Sequence, residues 1–201
     1  MNPVLEAIHA RRSQNPKFMT GPDLSQAELN VLAEAAAAAP DHGRLGPLRL
    51  AHITDRAALA DAFAAAAVEA DAAATPDDIA AARERAMAGP CLIAVLAHIQ
   101  PDHPTVPAHE QWVAVGAGLQ NLLLAVESLG LQAKMVSGRR VQSAAMRSAF
   151  GLSADENLVG FVAIGRSDAP AKPIQRRPAH EVQRDWPYKD QTESPGIKTR
   201  T

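Results

Sequence analysis

The segment His109 to Gln132, HEQWVAVGAGLQNLLLAVESLGLQ, constrains this chain more than any other. Trp112, Val115, Leu119, Leu122, Leu123, Val126 and Leu129 recur three and four residues apart, the period of one helix face. Most positions between them are Ala, Gly, Val or Leu, so the pattern predicts a central helix buried nearly all round. Gly116 and Gly118 flank Ala117 in its interior, where each glycine costs roughly 1 kcal/mol relative to alanine. That cost is offset where another helix or a second subunit crosses closely. The GAGLQN run has neither the third glycine nor the preceding strand of a dinucleotide-binding turn, and reads as packing.

What can surround such a helix is bounded by the rest of the chain. Its 201 residues suit one domain, expected over 1–188, with the composition of a disordered tail over 189–201. Hydrophobic residues make up 47%, but much of that is alanine and only 3% of the chain is aromatic. Small side chains bury little area each, so oligomerisation is expected to add burial. A formal charge of −2 gives no general attraction to phosphate backbones, and few aromatics are present to stack on bases, which points away from nucleic acid. No stretch reaches the ~18 uninterrupted apolar residues of a membrane span, and the first residues lack a signal-peptide pattern, so a cytoplasmic location is expected. The single cysteine, Cys91, excludes an internal disulfide.

Along the chain, Asn2 and Pro3 open a first helix with Val4, Leu5 and Ile8 as its apolar stripe. It ends in Arg11-Arg12-Ser13. The simpler reading is two cations favoured by the helix dipole; the sharper one is a guanidinium and hydroxyl fork for a phosphate. Ser25 and Glu28 form a capping box for a second helix reaching about Ala38, which Pro40 stops. Leu48 to Ile53 reads as a strand. Arg56 to Ala74 and Pro76 to about Ala88 read as an alanine-rich helix pair, expected at the periphery because it offers little apolar side chain beyond alanine. Cys91 to His98 is a continuous apolar run suited to a central strand, with Cys91 a small buried hydrophobe lacking any neighbouring base or cation. His98, His103 and His109 show no paired carboxylate pattern, so no metal site is expected. Gln132 to Val136 and Asn157 to Gly165 complete the strands, with a helix from Val141 to Phe150 between them. Helices first, then strands without regular βαβ alternation, predict an α+β fold.

Several of these pieces, in this order, resemble the nitroreductase family of flavin enzymes, especially its small members. The resemblance rests on Arg11-Arg12-Ser13, Ala39-Pro40-Asp41-His42, the glycine-containing central helix, Phe150-Gly151-Leu152, the run Glu156 to Gly165, and the basic segment closing on Arg177-Pro178. It covers about Met1 to Tyr188. It implies a three-layer homodimer with a small, mostly antiparallel sheet and an FMN at each subunit interface. It further implies an oxidoreductase that takes reducing equivalents from NADH or NADPH and passes them to nitro compounds, quinones or similar small acceptors by a ping-pong mechanism.

Carried over by position, the resemblance gives Arg11, Arg12 and Ser13 contacts to the FMN phosphate, ribityl chain and pyrimidine edge. Met135, Val136 and Ser137 match a segment lying against the flavin, and Ala38 and His42 match positions reaching it from the other subunit. Arg166 and Arg176 are candidate further phosphate partners. No side chain is required as a catalytic acid or nucleophile. The chain departs from the small members' pattern at Ala38, where they carry arginine, at Leu48, where they carry an aromatic, and at Met135-Val136, where they carry Trp-Arg. Those departures keep a second reading open, a flavin- or nucleotide-binding protein of this fold that has lost turnover. A third is an interaction protein that works through the alanine-rich helices.

Overall fold

In the computed structural model the described residues are 2–170 and 173–186, so the tail expected over 189–201 lies outside them. The elements are α1 (Pro3–Ala10), α2 (Gln26–Ala37), β1 (Leu48–His52), α3 (Arg56–Ala70), α4 (Pro76–Glu84), β2 (Cys91–His98), α5 (Ala108–Ser128), β3 (Gln132–Val136), α6 (Ala144–Ala149), β4 (Glu156–Gly165) and α7 (Ala179–Val182). Side chains set the helix starts. Asn2 accepts a hydrogen bond from the Val4 N–H at 2.9 Å, and Ser25 with Glu28 and Thr75 with Asp78 form reciprocal capping boxes.

The strands form one antiparallel sheet in the order β1-β2-β4-β3. Alternation along β2 and β4 sends Leu92, Ala94, Phe161 and Ala163 into a core shared with α3 and α6. Cys91, Ile93, Val95, Val162 and Ile164 point to the opposite core, with α2 and α5. Helices on both faces of an antiparallel sheet make the three layers. The ladder shifts by one residue between Val95, paired with Gly160, and Leu96, paired with Leu158, leaving Val159 as a bulge. A side chain at Gly160 would meet the Val136 carbonyl oxygen and the Met135 methyl at 2.6 Å, so only glycine lets β4 lie this close to the end of β3.

Four expectations need correction. The alanine-rich α3 is not peripheral: Leu59, Phe63, Ala66 and Ala67 are buried, and Phe63 packs on Phe161 with ring centroids 5.5 Å apart. Alanine allows close approach to the sheet, which a search for large apolar residues does not register. Nor is α5 buried all round in one chain, since Trp112 is 42% and Val113 70% exposed. The helix expected over Val141 to Phe150 begins later, because Ser143 caps it at Met146 and the Arg139–Gln142 turn precedes it as a separate 3-10 segment. The alanine-rich pair also stops earlier, at Ala70 and at Glu84, the latter followed by a 3-10 turn over Arg85–Met87.

Candidate functional site

The last turn of α1 gathers arginines from both ends of the chain. Arg12 turns its guanidinium back onto the carbonyls of Ala10, at 2.8 Å, and Arg11, at 3.0 Å, with a further contact to the His9 carbonyl. Arg176 donates to the carbonyls of Ile8, His9 and Arg11 at 3.2, 3.1 and 3.4 Å. These bonds satisfy carbonyls that a helix end leaves without partners. A guanidinium has five N–H donors, so the cluster keeps donors for an anion. Glu127 of α5 faces it. Burial pushes the Glu127 carboxyl up, opposed by the charges of Arg11 and Arg12 and by the Arg12 backbone N–H.

Ser13 continues from this cluster along the sheet edge. It forms a parallel bridge with Ala133, and the Gln14 N–H donates to the Ala133 carbonyl at 3.2 Å. Gln14 is itself buried and donates to the Ala169 carbonyl at 2.8 Å, which fixes this segment. Three residues further along β3 lies Val136, roughly 10 Å away at the rise of a strand. Ser137 follows and donates from its hydroxyl to the Val159 carbonyl at 3.0 Å.

Val136 and Ser137 border a cavity of about 530 Å³, within the range of small-molecule pockets. Phe63, Leu92, Val141 and Phe161 give it an apolar floor, while Arg85, Arg139 and Arg140 bring positive charge to its walls. The sequence pattern does not mark these three arginines, because Arg85 belongs to the alanine-rich helix pair and Arg139-Arg140 to a loop. Their only sequence signal was proximity to Ser137, and Arg85 lacked even that.

Ala38 and His42 lie elsewhere in the same chain. Ala38 caps the C-terminus of α2 and is exposed, and the exposed His42 has its Nδ1 2.5 Å from Glu110 Oε2. Both sit near β1, the opposite sheet edge from β3, beside a smaller cavity of about 270 Å³ lined by Ala36, Ala39, Leu48 and Ala114. Across three strand spacings that is roughly 14 Å from β3. Arg166 also stands apart: it pairs with Thr20 through the backbone, its side chain packs beside Gly21, and Glu28 lies within Coulomb reach.

Cys91 is buried as expected, but it has neighbours. Burial first, then Asp23, pushes its thiol up to about 12, opposed by the Leu24 backbone N–H and the charge of Arg56. His98 of β2, His103 and His109 of α5 do not gather. His103 accepts from the Val106 N–H at 3.0 Å, and His98 lies 3.3 Å from Arg49.

The nitroreductase family model matches residues 8–166. A Haemophilus influenzae protein named "Putative NAD(P)H nitroreductase" is 32% identical over 164 residues, which span 81% of this chain and 87% of its own length. Among solved structures, a nitroreductase-like family protein from Bacillus cereus has a TM-score of 0.76 at 23% identity, covering 90% of this chain and 95% of its own. A Desulfovibrio desulfuricans protein solved in complex with FMN has a TM-score of 0.69 at 25% identity, covering 94% and 99%. With the expected α+β layers in place and the family model matching most of its length, the chain belongs to the nitroreductase family.

Proposed function

We propose that this protein is an FMN-dependent oxidoreductase that passes reducing equivalents from NADH or NADPH to nitro compounds, quinones or related electron-poor acceptors, by ping-pong turnover in the cytoplasm. The carrying observation is that Ser13, next to Arg11 and Arg12, bridges β3 at Ala133, roughly 10 Å along the strand from the cavity border at Val136. That layout fits a long cofactor with a planar apolar end and an anionic end. When bound, FMN would accept hydride from a nicotinamide and deliver it to the acceptor.

The chain's own residues have separable tasks in this reading. Arg11, Arg12 and Arg176 hold the phosphate, with planar donor forks that keep their charge at any physiological pH. Phe63, Leu92 and Phe161 exclude water from the cavity floor. Arg85, Arg139 and Arg140 supply cations that the small members of the family place elsewhere, where this chain has Ala38 and Val136. Their presence favours turnover over the reading as a binder that has lost it.

The site is completed by a second copy of the chain. Ala38 and His42 are on the wrong sheet edge to reach β3 in their own subunit. Val4, Leu5 and Ile8 of α1 and Trp112 and Val113 of α5 are exposed on neighbouring helices, an apolar surface suited to a homodimer.

Titration of the flavin-free protein with FMN, followed by anaerobic addition of NADH or NADPH, tests the proposal. Saturable binding with bleaching of the flavin absorbance is expected. Binding without bleaching by either nucleotide would favour the non-catalytic binder. Absence of binding would favour the interaction protein.

A further inference from the structure

We propose that Asp23, His52 and Cys91 form a transition-metal site for zinc or a similar divalent ion, with the fourth coordination position left to water. The three residues come from separate parts of the chain. Strand register brings two of them together: His52 pairs with Ile93 across β1 and β2, so their side chains share a face, and Cys91 lies two residues before Ile93 on that same face. Asp23 arrives from the segment before α2. Its Oδ1 accepts the Leu24 N–H at 2.8 Å, and its two oxygens lie 3.1 and 3.0 Å from His52 Nε2.

One ligand atom from each residue, a carboxylate oxygen, an imidazole nitrogen and the thiol sulfur, lies within 4.8 Å of the other two. Zinc takes such atoms at roughly 2.0–2.3 Å, so ligands on a tetrahedron stand about 3.3–3.6 Å apart. His52 and Asp23 are near that spacing already, and a shift of about 1 Å would seat the sulfur. A thiolate and an imidazole select zinc or its late transition-metal neighbours over magnesium or calcium, which prefer oxygen ligands alone.

Charge and burial fit the same occupant. Cys91 is fully buried, while Asp23 and His52 keep an open side toward solvent through which an ion and its water can enter. On binding, the Cys91 S–H bond breaks, sulfur keeps the electron pair for the metal, and the proton passes to solvent. A thiolate, a carboxylate and a neutral imidazole then balance the divalent charge. The other charged group acting on the cluster is Arg56. Its guanidinium is held away by the carbonyls of Ala86 at 2.7 Å, Pro90 at 3.0 Å and Gly89 at 3.4 Å. The metal would tie the segment before α2 to the first two strands, independently of any flavin.

The test uses the full-length protein, stripped with a chelator and titrated with cobalt(II), read as a difference spectrum so that any flavin cancels. One equivalent should give a thiolate-to-cobalt charge-transfer band and the visible bands of a four-coordinate ion, and zinc should displace it. Cys91→Val should abolish the charge-transfer band. His52→Gln, at a half-buried position, should weaken binding by more than the 10–100-fold typical of losing a second-shell partner. No thiolate band in the wild-type protein would overturn the proposal. So would a band that survives His52→Gln at unchanged affinity. The first result would leave Asp23 as a hydrogen-bond link between His52 and Cys91.

Discussion

At the scale of single residues, the charge balance around α1 makes the clearest predictions. Arg12 and Arg176 spend some of their donors on helix carbonyls, so replacing either by alanine removes a cap together with the proposed phosphate contact. Arg12→Ala or Arg176→Ala should weaken FMN binding by about 10- to 100-fold, corresponding to a charged hydrogen bond of roughly 1.5–3 kcal/mol. Arg12→Lys should recover only part of it, since a point charge lacks the planar fork. Fluorescence titration of FMN measures both. Glu127 opposes them from α5, and Glu127→Gln should tighten FMN binding several-fold by removing a negative charge beside the phosphate. Stability carries a matching signature. Because the folded Glu127 carboxyl is raised above its ordinary 4.5, its ionisation in the fold is disfavoured. Its contribution is therefore full below pH 4.5 and is lost as pH rises through the raised folded value. Urea unfolding of Glu127→Gln against wild type should show the variant relatively more stable at neutral pH, with that advantage shrinking toward pH 4.5.

At the scale of elements, the two glycines of α5 face different neighbours. A methyl group at Gly118 would meet the Leu48 side chain at 2.5 Å and the Ala36 carbonyl oxygen at 2.9 Å, so β1 and α2 occupy the space. Gly118→Ala should cost about 1–3 kcal/mol by overpacking, read as a lower urea midpoint. At Gly116 a methyl group meets nothing within 4 Å among the described residues. Gly116→Ala should then gain up to about 1 kcal/mol in an isolated subunit and lose stability where a second subunit packs there. Comparing the variant at low and high protein concentration separates the two. The strands and most caps were legible because apolar runs and capping boxes are local signals: the sequence reading placed β2 over Cys91–His98 and β3 over Gln132–Val136, the observed bounds. Burial of α3 was not legible, since alanine is compatible with a surface or a close-packed helix and only the sheet beside it decides. The cavity arginines and the Asp23, His52 and Cys91 cluster were hidden for a related reason. Tertiary approach and strand register bring them together, and no spacing along the chain records either.

At the scale of the whole molecule, the residues of the proposed site divide between opposite sheet edges of one subunit. Arg11, Arg12, Arg176 and the Val136–Ser137 cavity lie toward β3, while Ala38 and His42 lie toward β1. A two-fold dimer is the simplest assembly that brings unlike edges of identical chains together while covering the exposed apolar residues of α1 and α5. Light scattering coupled to size exclusion should give twice the mass of the 21.2 kDa chain. Replacing Trp112 and Val113 together by serine and glutamate should shift the protein toward monomer and lower FMN occupancy with it. A monomer that binds FMN at full affinity would separate the cofactor site from the interface. The most direct measurement is the absorption spectrum of freshly purified protein, with the flavin released by heat and quantified. The protein should be yellow and release about one FMN per chain, as expected for one site per subunit. A colourless protein that also refuses added FMN would contradict the proposal.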